Sequence, residues 1–260
     1  MLVQLGFRNA FLDSSIQFLR ILNADVLVIG SQKDSFLERG TLPRDRLYQS
    51  LSVRGVEEAY PLYLDAVLWK NPENGTLRPI RILGFALDQP VFLSEDILGL
   101  APLLERPGTA LIDRQSKSEY GPIGLGPAEV EGRSIEVVGT FRMGTDFELD
   151  GTIIVGEETF FGVARFLADR SIQMVLLHLE EGADPETVTA NLNRVLPWDV
   201  AAYRKDDLIA RELGYWNRST PVGIIFLAGT AVGFIAGIVI LTQILFTLIS
   251  DHLSEFATLK

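Results

Sequence analysis

The chain has 260 residues, with 34 acidic side chains against 23 basic ones for a formal charge of −11, two histidines and no cysteine. That balance, without a basic cluster anywhere, excludes binding to nucleic acid or to an anionic bilayer through a polybasic surface. The missing cysteines exclude disulfides, thiolate metal sites and cysteine nucleophiles together.

In chain order, Met1–Phe7 is a short apolar run with no basic flank and no small-residue cleavage site, so it does not read as a secretory signal but either as the outer end of a membrane helix or as the start of an ordinary amphipathic one. Phe7, Phe11, Phe18 and Leu22 recur at helical spacing among polar residues such as Asp13, Ser14 and Gln17, which predicts an amphipathic helix to about Asn23 that can serve as a stalk. Ala24–Gly30 is a β-branched run ending in glycine, the pattern of a strand buried on both faces. Helical residues follow over 43–51, and 56–70 alternates as a strand.

Asn74-Gly75 is a tight-turn signal, so 56–70 and 78–87 are expected to form a hairpin. Gly108–Asp113, Ala128–Phe141 with a turn at Glu131-Gly132, and Gly151–Val155 read as short strands of a β-rich unit. Ser171–Leu179 is a strand, Asp184-Pro185-Glu186 opens a helix to Leu196, and Asp199–Tyr203 is a further strand. The inferred class is α+β, a ferredoxin-like domain carrying a β-rich insertion. Asp206–Trp216 reads as a second amphipathic helix, with Tyr215 and Trp216 either in an interfacial aromatic belt or packed together on a stalk.

Between Arg218 and Asp251 lie 32 residues without a charge. At ~1.5 Å per residue such a helix crosses the ~30 Å hydrocarbon core with length to spare, so a transmembrane helix is predicted. Gly229, Gly233 and Gly237 fall on one side of it and permit close approach of a neighbouring helix, and the lone amide, Gln243, calls for a hydrogen-bonding neighbour.

Catalytic machinery is not expected. His178 sits in a Leu-Leu-His-Leu strand pattern and His252 lies beyond the span, so no multi-histidine metal site or histidine-based triad can assemble. Pairs such as Glu57-Glu58, Glu157-Glu158 and Glu180-Glu181 read as solvated faces. The glycines and prolines of 121–127 lack the preceding strand and following helix of a phosphate loop. No catalytic residue, metal or cofactor is expected in the chain.

Leu5-Gly6-Phe7 with Ala10, Asp13 and Ser14, Ala24-Asp25 before a strand, the run 67–72 (VLWKNP), Ile82-Leu83-Gly84-Phe85, Tyr215-Trp216 with Ser219-Thr220-Pro221, and above all 250–260 (SDHLSEFATLK) resemble DevC-type permease subunits of ABC exporters, related to MacB and FtsX. The resemblance implies four membrane helices with a MacB-like periplasmic domain between the first two. On that pattern residues 1–23 are the end of the first membrane helix and a stalk, 24–87 and 169–203 the two halves of a porter-like part, and 88–168 an inserted β-rich part. Residues 204–220 are a second stalk, 221–250 a transmembrane helix and 251–260 the start of a cytoplasmic coupling segment. Relative to that pattern the chain is expected to be truncated, without most of helix one and without helices three and four, and therefore not to transport alone.

The resemblance also implies a bacterial inner-membrane location with 24–203 periplasmic and 251–260 cytoplasmic. Counting Arg204, Lys205, Arg211 and Arg218 against Lys260 gives the opposite orientation, but large domains translocate regardless of such counts. Expected partners are an ABC ATPase docking near Glu255, Phe256 and Lys260, a membrane-fusion adaptor, a TolC-like outer-membrane duct, membrane lipid and a second copy in a homodimer. Phe7, Phe11, Tyr215 and Trp216 would line the stalk. The implied function is export of an amphiphile such as a glycolipid by mechanotransmission; the alternative is an FtsX-like regulator that activates a periplasmic partner without transport.

Overall fold

The computed structural model describes residues 2–36, 38, 40–144, 149–164, 171–218 and 221–257. The chain divides into two compact units, Ser14–Leu213 and a smaller one formed by Met1–Asp13 with Gly214–Lys260.

The larger unit is α+β, built on one continuous hydrogen-bonded sheet whose strand order contains two parts. Strands β1 (Val26–Gly30), the first half of β2 (Val56–Lys70), β8 (Met174–Leu179) and β9 (Val200–Arg204) lie in the order β2-β8-β1-β9, every neighbour antiparallel. Helix α2 (Asp45–Leu51) joins β1 to β2, and α5 (Pro185–Val195) joins β8 to β9. This is the split strand-helix-strand arrangement of a ferredoxin-like sheet. Asp184 caps α5 by accepting the Thr187 N–H at 2.9 Å, and Pro185 fills the first helical position, where no N–H is needed. The edge strand β9 is closed off by Asn193, whose amide exchanges two 2.8 Å hydrogen bonds with the Ala202 backbone.

The second part is a closed six-stranded barrel. The second half of β2 pairs with β3 (Leu77–Phe85), and the ladder runs on through β7 (Thr152–Gly156), β4 (Thr109–Asp113), β6 (Arg133–Phe141) and β5 (Gly126–Val130) back to β2. The β3–β7 and β4–β6 pairs are parallel and the others antiparallel. Each of these six strands thereby has a hydrogen-bonded neighbour on both sides. Both expected turns form: Gly75 donates to the Asn71 carbonyl at φ +72°, and Glu131 and Gly132 take φ of 51° and 70° between β5 and β6. Strand β3, within residues 24–87, hydrogen-bonds both to β2 and to β7. The change of partner falls inside β2, between Leu62, which faces Met174 of β8, and Tyr63, which faces Gly84 of β3. Gln173 bridges that change, donating its N–H to the Leu62 carbonyl at 3.1 Å and accepting the Leu64 N–H at 2.8 Å.

Alternation along the strands feeds two cores. Val26, Val28, Val175 and Leu177 pack under α2 and α5, in a cluster continuous with Trp69, Ile80, Ile112 and Ile153 of the barrel. Leu27, Ile29 and Leu176 face the opposite way, toward Phe18 and Leu19 of α1 (Leu2–Ile21) and Leu208 of α6 (Lys205–Arg218). Two short helices have no counterpart in the sequence reading, α3 (Glu95–Leu100) and α4 (Glu157–Val163). Each is under two turns, too short to show a helical period. The smaller unit contains α7 (Pro221–Ala257), separated from α6 by residues 219 and 220 in chain order.

Candidate functional site

Helix α7 carries a segment, Ala228–Ser250, of 23 residues with mean hydropathy 2.4, none of it buried within the chain. A helix of that length and composition can cross a bilayer, and its bare apolar surface is the kind that lipid, not water, covers. Gly229, Gly233 and Gly237 follow at four-residue steps along one face, and a Cβ added at Gly237 would meet nothing within 4 Å. Gln243 is exposed on the helix. Thr242 and Thr247 return their hydroxyls to the Ile238 and Gln243 carbonyls at 2.8 and 3.0 Å, which satisfies them without a partner. Glu255 and Phe256 lie in the last turns of α7 with side chains outside the described residues, and Lys260 lies outside them altogether.

Of the stalk residues, the Phe7 side chain lies outside the described residues. Phe11 and Trp216 meet edge to face at 5.7 Å and 79°, and Trp216 meets Tyr215 at 5.6 Å and 81°. Three of the four aromatics therefore form one cluster, each contact of the kind worth about 0.5–1.5 kcal/mol beyond its buried area.

In the larger unit, α1 and α6 share a root. Lys205, the first residue of α6, donates its ammonium to the Leu22 and Arg20 carbonyls at 2.6 and 3.2 Å, at the end of α1 where cations are favoured. Burial pushes the pKa of Lys205 down. Further along α6, Arg211 donates to the Lys33 carbonyl and stacks over Tyr203, while Glu212, 1 % exposed, accepts from the Ser35 hydroxyl at 2.6 Å and the Phe36 N–H at 3.2 Å. On α1, Gln17 donates its amide to the Met143 carbonyl of the barrel. Asp113 at the end of β4, fully buried, takes the N–H groups of Gln115, Met143 and Gly144 at 3.0, 3.2 and 2.7 Å. Helix α1 thus rests on the barrel, and α6 on the loop that follows β1.

A third polar cluster sits where β2 changes partner. Arg44 donates to the Tyr63 oxygen at 3.0 Å and to Glu157 at 3.3 Å, and the Tyr63 hydroxyl donates to the same carboxylate oxygen at 2.9 Å. Burial, followed by the bond to Glu157, pushes the Tyr63 phenol up. Glu157 is therefore a bonded residue at the start of α4, where the sequence reading has a solvated acidic pair. Replacing Tyr63 by phenylalanine is expected to cost about 1 kcal/mol of stability, because the hydroxyl is lost while Arg44 and Glu157 keep each other. A urea titration following Trp69 fluorescence measures it, and an unchanged midpoint overturns it.

No sequence pattern marks these polar residues as bonded to one another, yet Glu212 leaves a trace. It follows Leu208 by four residues and precedes Trp216 by four, so it occupies the apolar stripe of α6. His178 is a strand residue whose Nε2–H donates to the Asn23 carbonyl at 2.9 Å. A cleft of about 760 Å³ beside α4 is lined by Leu87, Asp88, Leu104, Glu105, Glu158 and Phe161 among others, with carboxylates but no histidine. Among the described residues no group of three or more His, Asp or Glu is placed to hold a metal ion.

No family model matches the chain. No curated protein matches it in sequence. Among solved structures, the periplasmic region of MacB from Actinobacillus actinomycetemcomitans is similar at 11 % identity and a TM-score of 0.49, covering 73 % of this chain and 93 % of that one. The extracellular domain of the noncanonic ABC-type transporter YknZ from Gram-positive bacteria is similar at 13 % identity and a TM-score of 0.45, covering 70 % of this chain and all of the other.

Proposed function

We propose that the chain is part of the permease subunit of an ATP-driven exporter of the bacterial inner membrane, with the larger unit periplasmic and α7 crossing the bilayer. The observation that carries the reading is the shared root of α1 and α6: both ends of one folded domain are fixed to each other by Lys205, and the chain beyond α6 enters a membrane-length helix. On this reading the domain receives its motion through the root that α1 and α6 share. ATP hydrolysis belongs to a partner ATPase docking near Glu255, Phe256 and Lys260. An adaptor and an outer-membrane duct would receive an amphiphilic cargo such as a glycolipid, and the glycine face of α7 would pack against neighbouring helices, including those of a second copy. The sequence resemblance of residues 250–260 supports the same assignment.

Cross-linking in native membranes followed by purification of this chain tests the reading. An ABC ATPase and an adaptor are expected to co-purify, with ATPase recovery reduced about tenfold by Glu255→Ala with Phe256→Ala, as for loss of interface anchors. Recovery of a cell-wall hydrolase without an adaptor would favour the FtsX-like regulator instead. Absence of any ATPase would overturn both.

A further inference from the structure

The loop after β1 touches both helices that enter the domain. Phe36, 3 % exposed, stacks on Phe18 of α1 with ring centroids 5.6 Å apart and planes 3° from parallel. From the other helix, Arg211 holds the Lys33 carbonyl, and Glu212 holds the Ser35 hydroxyl and the Phe36 N–H. A carboxylate as buried as Glu212 is costly to leave half-bonded, so this latch is made or broken as a unit.

The same loop is tied at its start and beyond its end to α2. Ser31 donates its N–H to the Asp199 carbonyl at 3.0 Å and its hydroxyl to the Trp198 carbonyl at 2.7 Å. The Asp199 carboxylate takes the Arg46 guanidinium of α2 in a two-pronged pair at 3.0 and 3.2 Å, a geometry that fixes direction as well as distance. Downstream, Leu42 exchanges backbone hydrogen bonds with Ile172 at 2.6 and 3.1 Å, and two residues later Arg44 reaches Tyr63 and Glu157. A displacement of α6 against α1 therefore has a bonded route through Ser31, Asp199 and Arg46 to α2.

We infer that the Ser31–Phe36 loop is a coupling strap, which reports the spacing of α1 and α6 where they enter the domain and transmits it to α2. The inference rests on reading α1 and α6 as the elements that carry motion. It is tested without any ATPase, so its failure is separable from failure of the exporter assignment.

Contiguity alone is not coupling, so the test is a double-variant cycle. Amide hydrogen exchange of the full chain in detergent micelles is measured for wild type, Glu212→Gln, Arg46→Gln and the double variant. Glu212→Gln is expected to speed exchange about tenfold or more in both 33–36 and α2, the scale of losing charge-assisted hydrogen bonds, and to leave β4 and β6 unchanged. In α2, the double variant is expected to depart fivefold or more from the product of the single effects. A smaller departure, or acceleration confined to 33–36, overturns the strap. Should Glu212→Gln fail to fold, Ser35→Ala, which removes one hydroxyl from the same latch, takes its place in the cycle under the same two criteria.

Discussion

Arginine at both Phe234 and Ile235 is expected to release the chain from the membrane. Each arginine near the centre of a span costs about 2.5–3.5 kcal/mol, so the pair removes most of the roughly 5–10 kcal/mol by which the apolar side chains favour insertion. The positions matter because they leave only 15 uncharged residues on either side, 219–233 and 236–250, and neither remnant is long enough to span by sliding. Both side chains are more than half exposed within the chain, so the substitutions disturb lipid contact rather than a protein core. Extraction of membranes with alkaline carbonate reads the result: wild type stays in the pellet and the double variant moves to the supernatant or aggregates. If the double variant pelleted like wild type and remained folded, α7 would not be the anchor.

Replacing Asp113 by alanine is expected to cost about 3 kcal/mol of stability, well above the loss of the Tyr63 hydroxyl, because three backbone donors lose their acceptor at once. Its carboxylate is fully buried and shared between Gln115, Met143 and Gly144. Gly144 has φ +100° and packs against Gln17, where an added Cβ would lie 3.0 Å from the amide, so the segment needs a glycine at this position. Asp113→Asn keeps one acceptor oxygen and is expected to lose about half as much. Urea unfolding of the full chain in detergent checks both, with Trp69, buried in the barrel and bonded to the Tyr120 carbonyl at 3.0 Å, as the reporter. An alanine variant within about 0.5 kcal/mol of wild type would sink the argument. Because Asp113 organises the segment that Gln17 holds, its loss is also expected to loosen the seat of α1.

The turns and caps were legible because their causes are local. Asn74-Gly75, Glu131-Gly132 and Asp184-Pro185 each specify backbone geometry within four residues, and each adopts it. The long strand 56–70 was legible for its alternation, but not its division of labour. Asn74-Gly75 announces the hairpin with β3, but not that the half before Tyr63 pairs with β8 instead, because that partner lies more than 100 residues away. Glu157 reads as half of a solvated acidic pair until Arg44 and Tyr63 are brought beside it. Glu212 is the instructive intermediate: its place on an apolar stripe marks it as unusual, while the Ser35 and Phe36 donors that explain it come from the other end of the chain.

By itself the sequence determined the α+β content, the membrane-length apolar helix and the positions of the sharp turns. These follow from composition, periodicity and short-range backbone preference, which act within one element. Only the tertiary structure decided that the middle strands close into a barrel, that α1 and α6 share a root at Lys205, and that a loop after β1 is held between them. Those features are satisfied by hydrogen bonds and packing between residues distant in the chain, and burial turns their otherwise ordinary polar side chains into fixed connections.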